Sequence, residues 1–114
     1  MPIVNISSLV PQDQSVVPTM MGHVRRAGAV AMKTPRDNVW VTFTPLKYYL
    51  GEFPFPIVEI KAKAGRSEAD KSAFVKAIAQ EVARALSVPP EKVWIQYQEM
   101  QPQDVWFQNH WSNN

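Results

Sequence analysis

Pro2-Ile3-Val4-Asn5-Ile6 returns 54 residues later as Pro56-Ile57-Val58-Glu59-Ile60, and Val39-Trp40-Val41-Thr42-Phe43 returns at the same separation as Val93-Trp94-Ile95-Gln96-Tyr97. Both words are β-branched or aromatic and strand-like. One insertion in either copy would break their common offset, so the pair marks a tandem duplication. Between the words, Met20, Val24, Ala31, Met32 and Pro35 align with Phe74, Ile78, Ala85, Leu86 and Pro89 at the same spacing. Each copy predicts a strand-helix-strand unit, with pseudo-repeats over 2–52 and 56–107. A chain of 114 residues has the usual size of one domain, so the repeats are expected to be halves of a single domain spanning 1–114.

In the second copy Ser67, followed three residues later by Asp70, resembles a capping box. Phe74, Ile78, Val82 and Ala85, with Val75 and Leu86, then lay an apolar stripe at spacings of three and four, and Pro89-Pro90 closes the helix. In the first copy Ser15 is the expected cap, Pro18 is tolerated in the first turn, and Gly22 and Gly28 weaken the helix. Helical crossovers of this length join parallel strands, so two units predict an α/β fold: a four-stranded mixed sheet with two helices on one face. Both faces of the strand words read as apolar, with Ile3 opposed to Val4 and Ile6. The face without helices is therefore expected to bury itself against copies of the chain in a closed homo-oligomer. A ferredoxin-like fold has a similar element order and can bind RNA through strand aromatics, but the opening strands here hold no aromatic residue.

Composition narrows the chemistry. No apolar run approaches the ~20 residues of a membrane span, and Met1 to Val10 carries no Lys or Arg of a targeting segment. The absence of cysteine fits a cytoplasmic location. His23 and His110 are far apart with no carboxylate at ligand spacing, so a metal site is not expected. Arg25-Arg26 is the only adjacent basic pair and suits a solvated helix face better than a phosphate track, which argues against a nucleic-acid partner.

If the first strands of the two halves pair at the centre about a pseudo-two-fold axis, they run antiparallel. Pro2 then lies beside the turn Lys61-Ala62-Lys63-Ala64-Gly65-Arg66-Ser67, and Pro56 lies beside Leu9-Val10-Pro11-Gln12. The two ends are chemically unequal. Removal of Met1 would free a secondary amine at Pro2, whereas the nitrogen of Pro56 is locked in a tertiary amide. The same end holds the cations Lys63 and Arg66 where the other has Gln12. An α-amine with a reference pKa of ~8 serves as a base when burial or a nearby cation disfavours its charged form. Arg66, beside Gly65 and a helix N-terminus, suits a planar carboxylate. This combination points to proton abstraction beside a carbonyl, or conjugate chemistry, on a small anionic acid.

The opening Met1-Pro2-Ile3-Val4, the words Pro56-Ile57-Val58-Glu59-Ile60 and Ala64-Gly65-Arg66-Ser67, and the closing Pro89-Pro90-Glu91-Lys92-Val93-Trp94-Ile95-Gln96-Tyr97-Gln98-Glu99-Met100 together resemble the tautomerase superfamily. The resemblance implies a β-α-β-β-α-β homotrimer without cofactor, in which an amino-terminal proline, here Pro2, moves a proton and Arg66 binds the substrate. Lys63 falls where the dehalogenase branch has a second arginine, and Lys33 falls near a lysine used by the migration inhibitory factor branch. Trp94 and Gln96 fall where that branch has a tyrosine and an asparagine at the subunit boundary. Each site is thus expected to combine Pro2, Lys63 and Arg66 with a neighbour's residues from Trp94 to Tyr97. Trp40 and Trp94 stand where the muconate-type enzymes place another arginine, which leaves a second substrate carboxylate without a partner. The dehalogenase's water-activating glutamate would fall near Phe107 and has no replacement in register. The implied function is a cofactor-independent tautomerase or isomerase. The alternatives are hydration, dehalogenation or decarboxylation of a three-carbon acid, or a trimer that kept the fold and lost catalysis, as a retained Met1 would require. Tyr48 and Tyr49 could border a cavity, and the aromatic tail from Trp106 to Trp111 is expected to pack on a neighbouring subunit.

Overall fold

Alternation decides the sheet. In the computed structural model, which describes residues 2–51 and 55–113, β1 (Ile3–Ser8) buries Val4, Ile6 and Ser8 and turns Ile3, Asn5 and Ser7 the other way. β2 (Trp40–Pro45), β3 (Ile57–Lys63) and β4 (Trp94–Met100) complete a sheet in the order β2-β1-β3-β4. The outer pairs β1/β2 and β3/β4 are parallel and the central pair β1/β3 is antiparallel. Strands of one unit pair directly with each other, unlike the split units of the ferredoxin-like fold. The 54-residue offset recurs throughout: Ile3 faces Trp40 as Ile57 faces Trp94, and the Trp40 and Trp94 amides donate to the Pro2 and Pro56 carbonyls at 3.0 and 3.1 Å.

Helices α1 (Val16–Met32) and α2 (Glu68–Leu86) cover one face, over the rows Val41–Val4–Ile60–Tyr97 and Phe43–Ile6–Val58–Ile95. Met20, Val24 and Ala29 are buried on α1, and their counterparts Phe74, Ile78 and Ala83 are buried on α2. Both helices stop at a left-handed cap, Lys33 at φ 55° and Ser87 at φ 56°. Ser67 caps α2 as expected, its hydroxyl accepting from the Asp70 amide at 3.1 Å. Ser15 makes no such bond. Its amide and hydroxyl both donate to the Asp13 carboxylate, at 3.0 and 2.7 Å, and so hold that exposed carboxyl below its ordinary range.

Three features differ from the sequence expectation. The face without helices is polar along its middle row, Thr42–Asn5–Glu59–Gln96. Apolar side chains gather instead at two opposite corners, Ile3 with Trp40 and Ile57 with Trp94. Asn5 is held by bonds to the Thr42 and Thr44 hydroxyls at 2.7 and 3.1 Å, which satisfies its amide without a covering layer. Arg25 is not a free surface cation, since it donates to the Arg36 and Val39 carbonyls at 2.8 and 3.2 Å and pairs with Asp37 at 3.0 Å, tying α1 to the turn before β2. The aromatic tail folds on its own chain as β5 (Trp106–Phe107) and β6 (His110–Trp111), joined by Gln108 and Asn109 at φ 53° and 66°, a primed hairpin turn.

At Gly28 the helices are in close contact, because a Cβ there would lie 2.9 Å from Phe74 Cε1 and 3.4 Å from Ile78 Cδ1, whereas one on Gly22 would meet nothing within 4 Å. Gly28→Ala is expected to lower unfolding free energy by about 1 to 3 kcal/mol through overpacking. Gly22→Ala should raise it by about 0.4 to 1 kcal/mol through helix propensity and a restricted unfolded chain. Urea denaturation of the two variants beside the parent checks the opposite signs.

Candidate functional site

The antiparallel register fixes what stands at each end of the sheet. Ile3 faces Lys61, and one further step places Pro2 beside Ala62. Beyond Ala62 come Lys63 and the turn to α2, in which Gly65 takes φ 101°, a value that favours glycine, and the Ala64 amide donates to the Met100 carbonyl at 3.0 Å. Pro2 and Pro56 are both fully buried. By alternation the Pro2 ring belongs with Val4 and Ile6 on the helix-covered face, and its neighbour Ile3 belongs to the open face.

On that open face, at the Pro2 end, lies a cavity of about 350 Å³. Ile3 and Trp40 line it from the first half, Lys63 and Met100 from the second, and Val105, Trp106 and Phe107 from the tail. The Trp40 and Phe107 rings meet edge-on at 5.3 Å, and Trp106 packs on Trp111 at 5.2 Å. Lys63 is the only charged side chain among the described residues that line this cavity. The pseudo-symmetric corner, around Ile57 and Trp94, opens into a different hollow of about 600 Å³ bordered by Tyr49, Phe55, Glu91 and Lys92. The two corners therefore repeat in backbone and differ in walls and charge.

On the helix-covered face the row Val4–Ile60–Tyr97 leads to a second polar feature. The Tyr97 hydroxyl and Arg66 Nε are both buried without a hydrogen-bond partner. Burial pushes the Tyr97 phenol above its ordinary value, the Arg66 charge pulls it the other way, and Glu99 adds to the rise. The Lys71 ammonium stands 5.0 Å from the centre of the Tyr97 ring. Among the described residues no group of three or more His, Asp or Glu side chains could hold a metal ion.

The residues singled out from the sequence thus fall into four places within one chain. Pro2 and Lys63 lie at one sheet end, and Arg66 and Tyr97 act on each other beside β4. Trp94 and Gln96 point from the open face, Trp94 into the Pro56-end hollow and Gln96 into the polar row. Lys33, exposed at the end of α1, borders a separate hollow with Arg26 and Arg36. Sequence reading singled out Trp40 as standing where related enzymes place an arginine, and overlooked Met100 and the tail aromatics as cavity walls. The available signal was the Gln108-Asn109 pair between two aromatic dipeptide stretches, a turn-forming step that lets the tail fold back.

The sequence of residues 53–108 matches the family described as tautomerase enzyme. No curated protein matches by sequence. Among solved structures, the chain is similar to a fused 4-OT solved as a wild-type asymmetric trimer, at 19% identity and TM-score 0.88, covering 97% of this chain and 96% of that one. It is similar to Pt0534 inactivated by 2-oxo-3-pentynoate, at 16% identity and TM-score 0.88, covering 96% and 94%. It is also similar to the macrophage migration inhibitory factor of Toxoplasma gondii, at 16% identity and TM-score 0.75, covering 96% and 98%. Residues 53–108 thus carry the tautomerase family's sequence pattern, and the chain as a whole shares the fold of the fused 4-OT and macrophage migration inhibitory factor structures.

Proposed function

We propose that the chain is a cofactor-independent tautomerase that moves a proton on a small enol or keto acid, with the nitrogen of Pro2 as base once Met1 is removed. The observation that carries this reading is the cavity at the Pro2 end, walled by Trp40, Trp106 and Phe107 with Lys63 as its single charge. Burial and a cation at the same sheet end both disfavour protonation of a free amine at Pro2, which favours the basic form. The amine takes the enol hydroxyl proton and a proton is returned to carbon, so the reaction consumes none overall. Arg66 holds the carboxylate and Lys63 the carbonyl oxygen as negative charge develops there. With Arg66 and Lys63 committed to the carboxylate and the carbonyl oxygen and the other walls mostly apolar, a monocarboxylate with an apolar body is favoured over a dicarboxylate. Lys33 stands apart from this arrangement, in its hollow with Arg26 and Arg36.

The two repeats share one sheet and act as a single domain in this reading. Three chains assemble through the open faces, bringing a neighbour's Trp94 and Gln96 toward the site. Support comes from the exposed Trp40 and Trp94 on that face and from the trimeric state of the similar fused 4-OT. A second reading, a trimer without catalysis, is favoured by the full burial of Pro2, whose nitrogen is an amide while Met1 is attached.

Three measurements test these readings. Protein from its natural host should show an intact mass without Met1, and proton resonance in deuterated buffer should follow ketonisation of phenylenolpyruvate. Pro2→Ala should lower kcat/KM by about 10²-fold or more with the circular dichroism unchanged. Equal rates for parent and variant, or a retained Met1, would favour the second reading. Sedimentation equilibrium at micromolar concentration should give the mass of three chains, and a folded monomer would contradict the shared site.

A further inference from the structure

The Tyr97 hydroxyl and Arg66 Nε are two buried hydrogen-bonding groups without partners, close enough to act on each other electrostatically. Buried polar atoms are nearly always paired, and leaving one unpaired costs stability. Their origins in the chain differ. Arg66 comes from the turn that Gly65 and the Ala64–Met100 bond shape, and Tyr97 comes from β4, opposite Ile60 and thus in the row that begins at Val4. Lys71, from the first turns of α2, adds a third positive or donor group over the Tyr97 ring. Glu99, two residues along β4, is the acidic side chain that faces the cluster. An Nε–H and a phenolic O–H can both donate, and neither is bonded to the Glu99 carboxylate or to the other, so a ligand carboxylate with two oxygens supplies an acceptor for both.

We infer that Tyr97 is a substrate-binding residue that acts with Arg66 of its own chain, the hydroxyl and the guanidinium donating to the same substrate carboxylate. This rests on the reading that Arg66 holds that carboxylate, and it takes Tyr97 out of the set contributed by a neighbouring subunit. The unpaired hydroxyl is then a stability cost of the empty site that the ligand offsets.

The test uses the intact protein and pyruvate as the carboxylate probe, read through the ¹⁵N–¹H signal of Arg66 Nε, which is assigned by its loss in Arg66→Lys. Pyruvate should shift this signal in the parent. In Tyr97→Phe, which keeps the ring and removes only the hydroxyl, the apparent Kd should weaken by roughly tenfold or more. Because the hydroxyl has no partner in the free protein, the Tm of Tyr97→Phe should equal or exceed that of the parent. An unchanged Kd in Tyr97→Phe would overturn the part given to Tyr97 and leave Arg66 in place. Absence of any shift in the parent would remove the carboxylate from Arg66 and the inference with it. A lowered Tm would show that the hydroxyl already has a structural partner, which also overturns it.

Discussion

The antiparallel pairing of β1 with β3 is the constraint on which the rest of the molecule depends. Val4 opposite Ile60 and Ile6 opposite Val58 place four apolar side chains at the centre of the sheet, under both helices. A single strand-helix-strand unit would have only two strands and one helix with which to bury its apolar stripe, too few for independent stability. Joined at this seam, the units form one core, with the helices in contact at Gly28 and Phe74. A register slip of one residue would turn Val4 and Ile6 outward and bring Asn5 in, so the seam also fixes which side chains face which layer.

The seam distributes chemistry as well as hydrophobic surface. Because the strands run in opposite directions, each sheet end combines the start of one repeat with the end of the other's first strand. Backbone symmetry is kept to the level of the Trp40 and Trp94 amide bonds to the preceding prolines. Side-chain symmetry is not. Lys63 and the folded-back tail wall one end, while Tyr49, Phe55, Glu91 and Lys92 border the other. The two halves thus present equivalent backbone frames with different side-chain furnishings.

Much of this was legible because strand pairing and helix stripes leave periodic marks. The words at Pro2 and Pro56 gave the strands, their common offset gave the pairing of like with like, and the spacing from Phe74 to Val82 gave the buried face of α2. What the sequence hid depends on contacts between distant residues. Ser15 has the right chemistry for a cap, yet Asp13 captures its hydroxyl first. Arg25 looks like a solvated cation until the chain brings the Arg36 and Val39 carbonyls to it. The open face reads as apolar in its tryptophans and isoleucines, but alternation also delivers Asn5, Thr42, Glu59 and Gln96 to its middle row. For the site, the sheet end at Pro2 followed from direction alone, whereas the closure of Trp40 on Phe107 required a tail conformation that no strand pattern encodes.

The central claim is that a free Pro2 amine, at the sheet end that also holds the aromatic cavity, is the reactive base. Covalent labelling with 2-oxo-3-pentynoate, whose activated triple bond accepts a neutral amine, tests this most directly when read by intact mass and peptide mapping. The account predicts one adduct per chain, carried on the nitrogen of Pro2 and suppressed by excess pyruvate. An unlabelled chain, or an adduct carried on Lys63 with Pro2 unmodified, would contradict it.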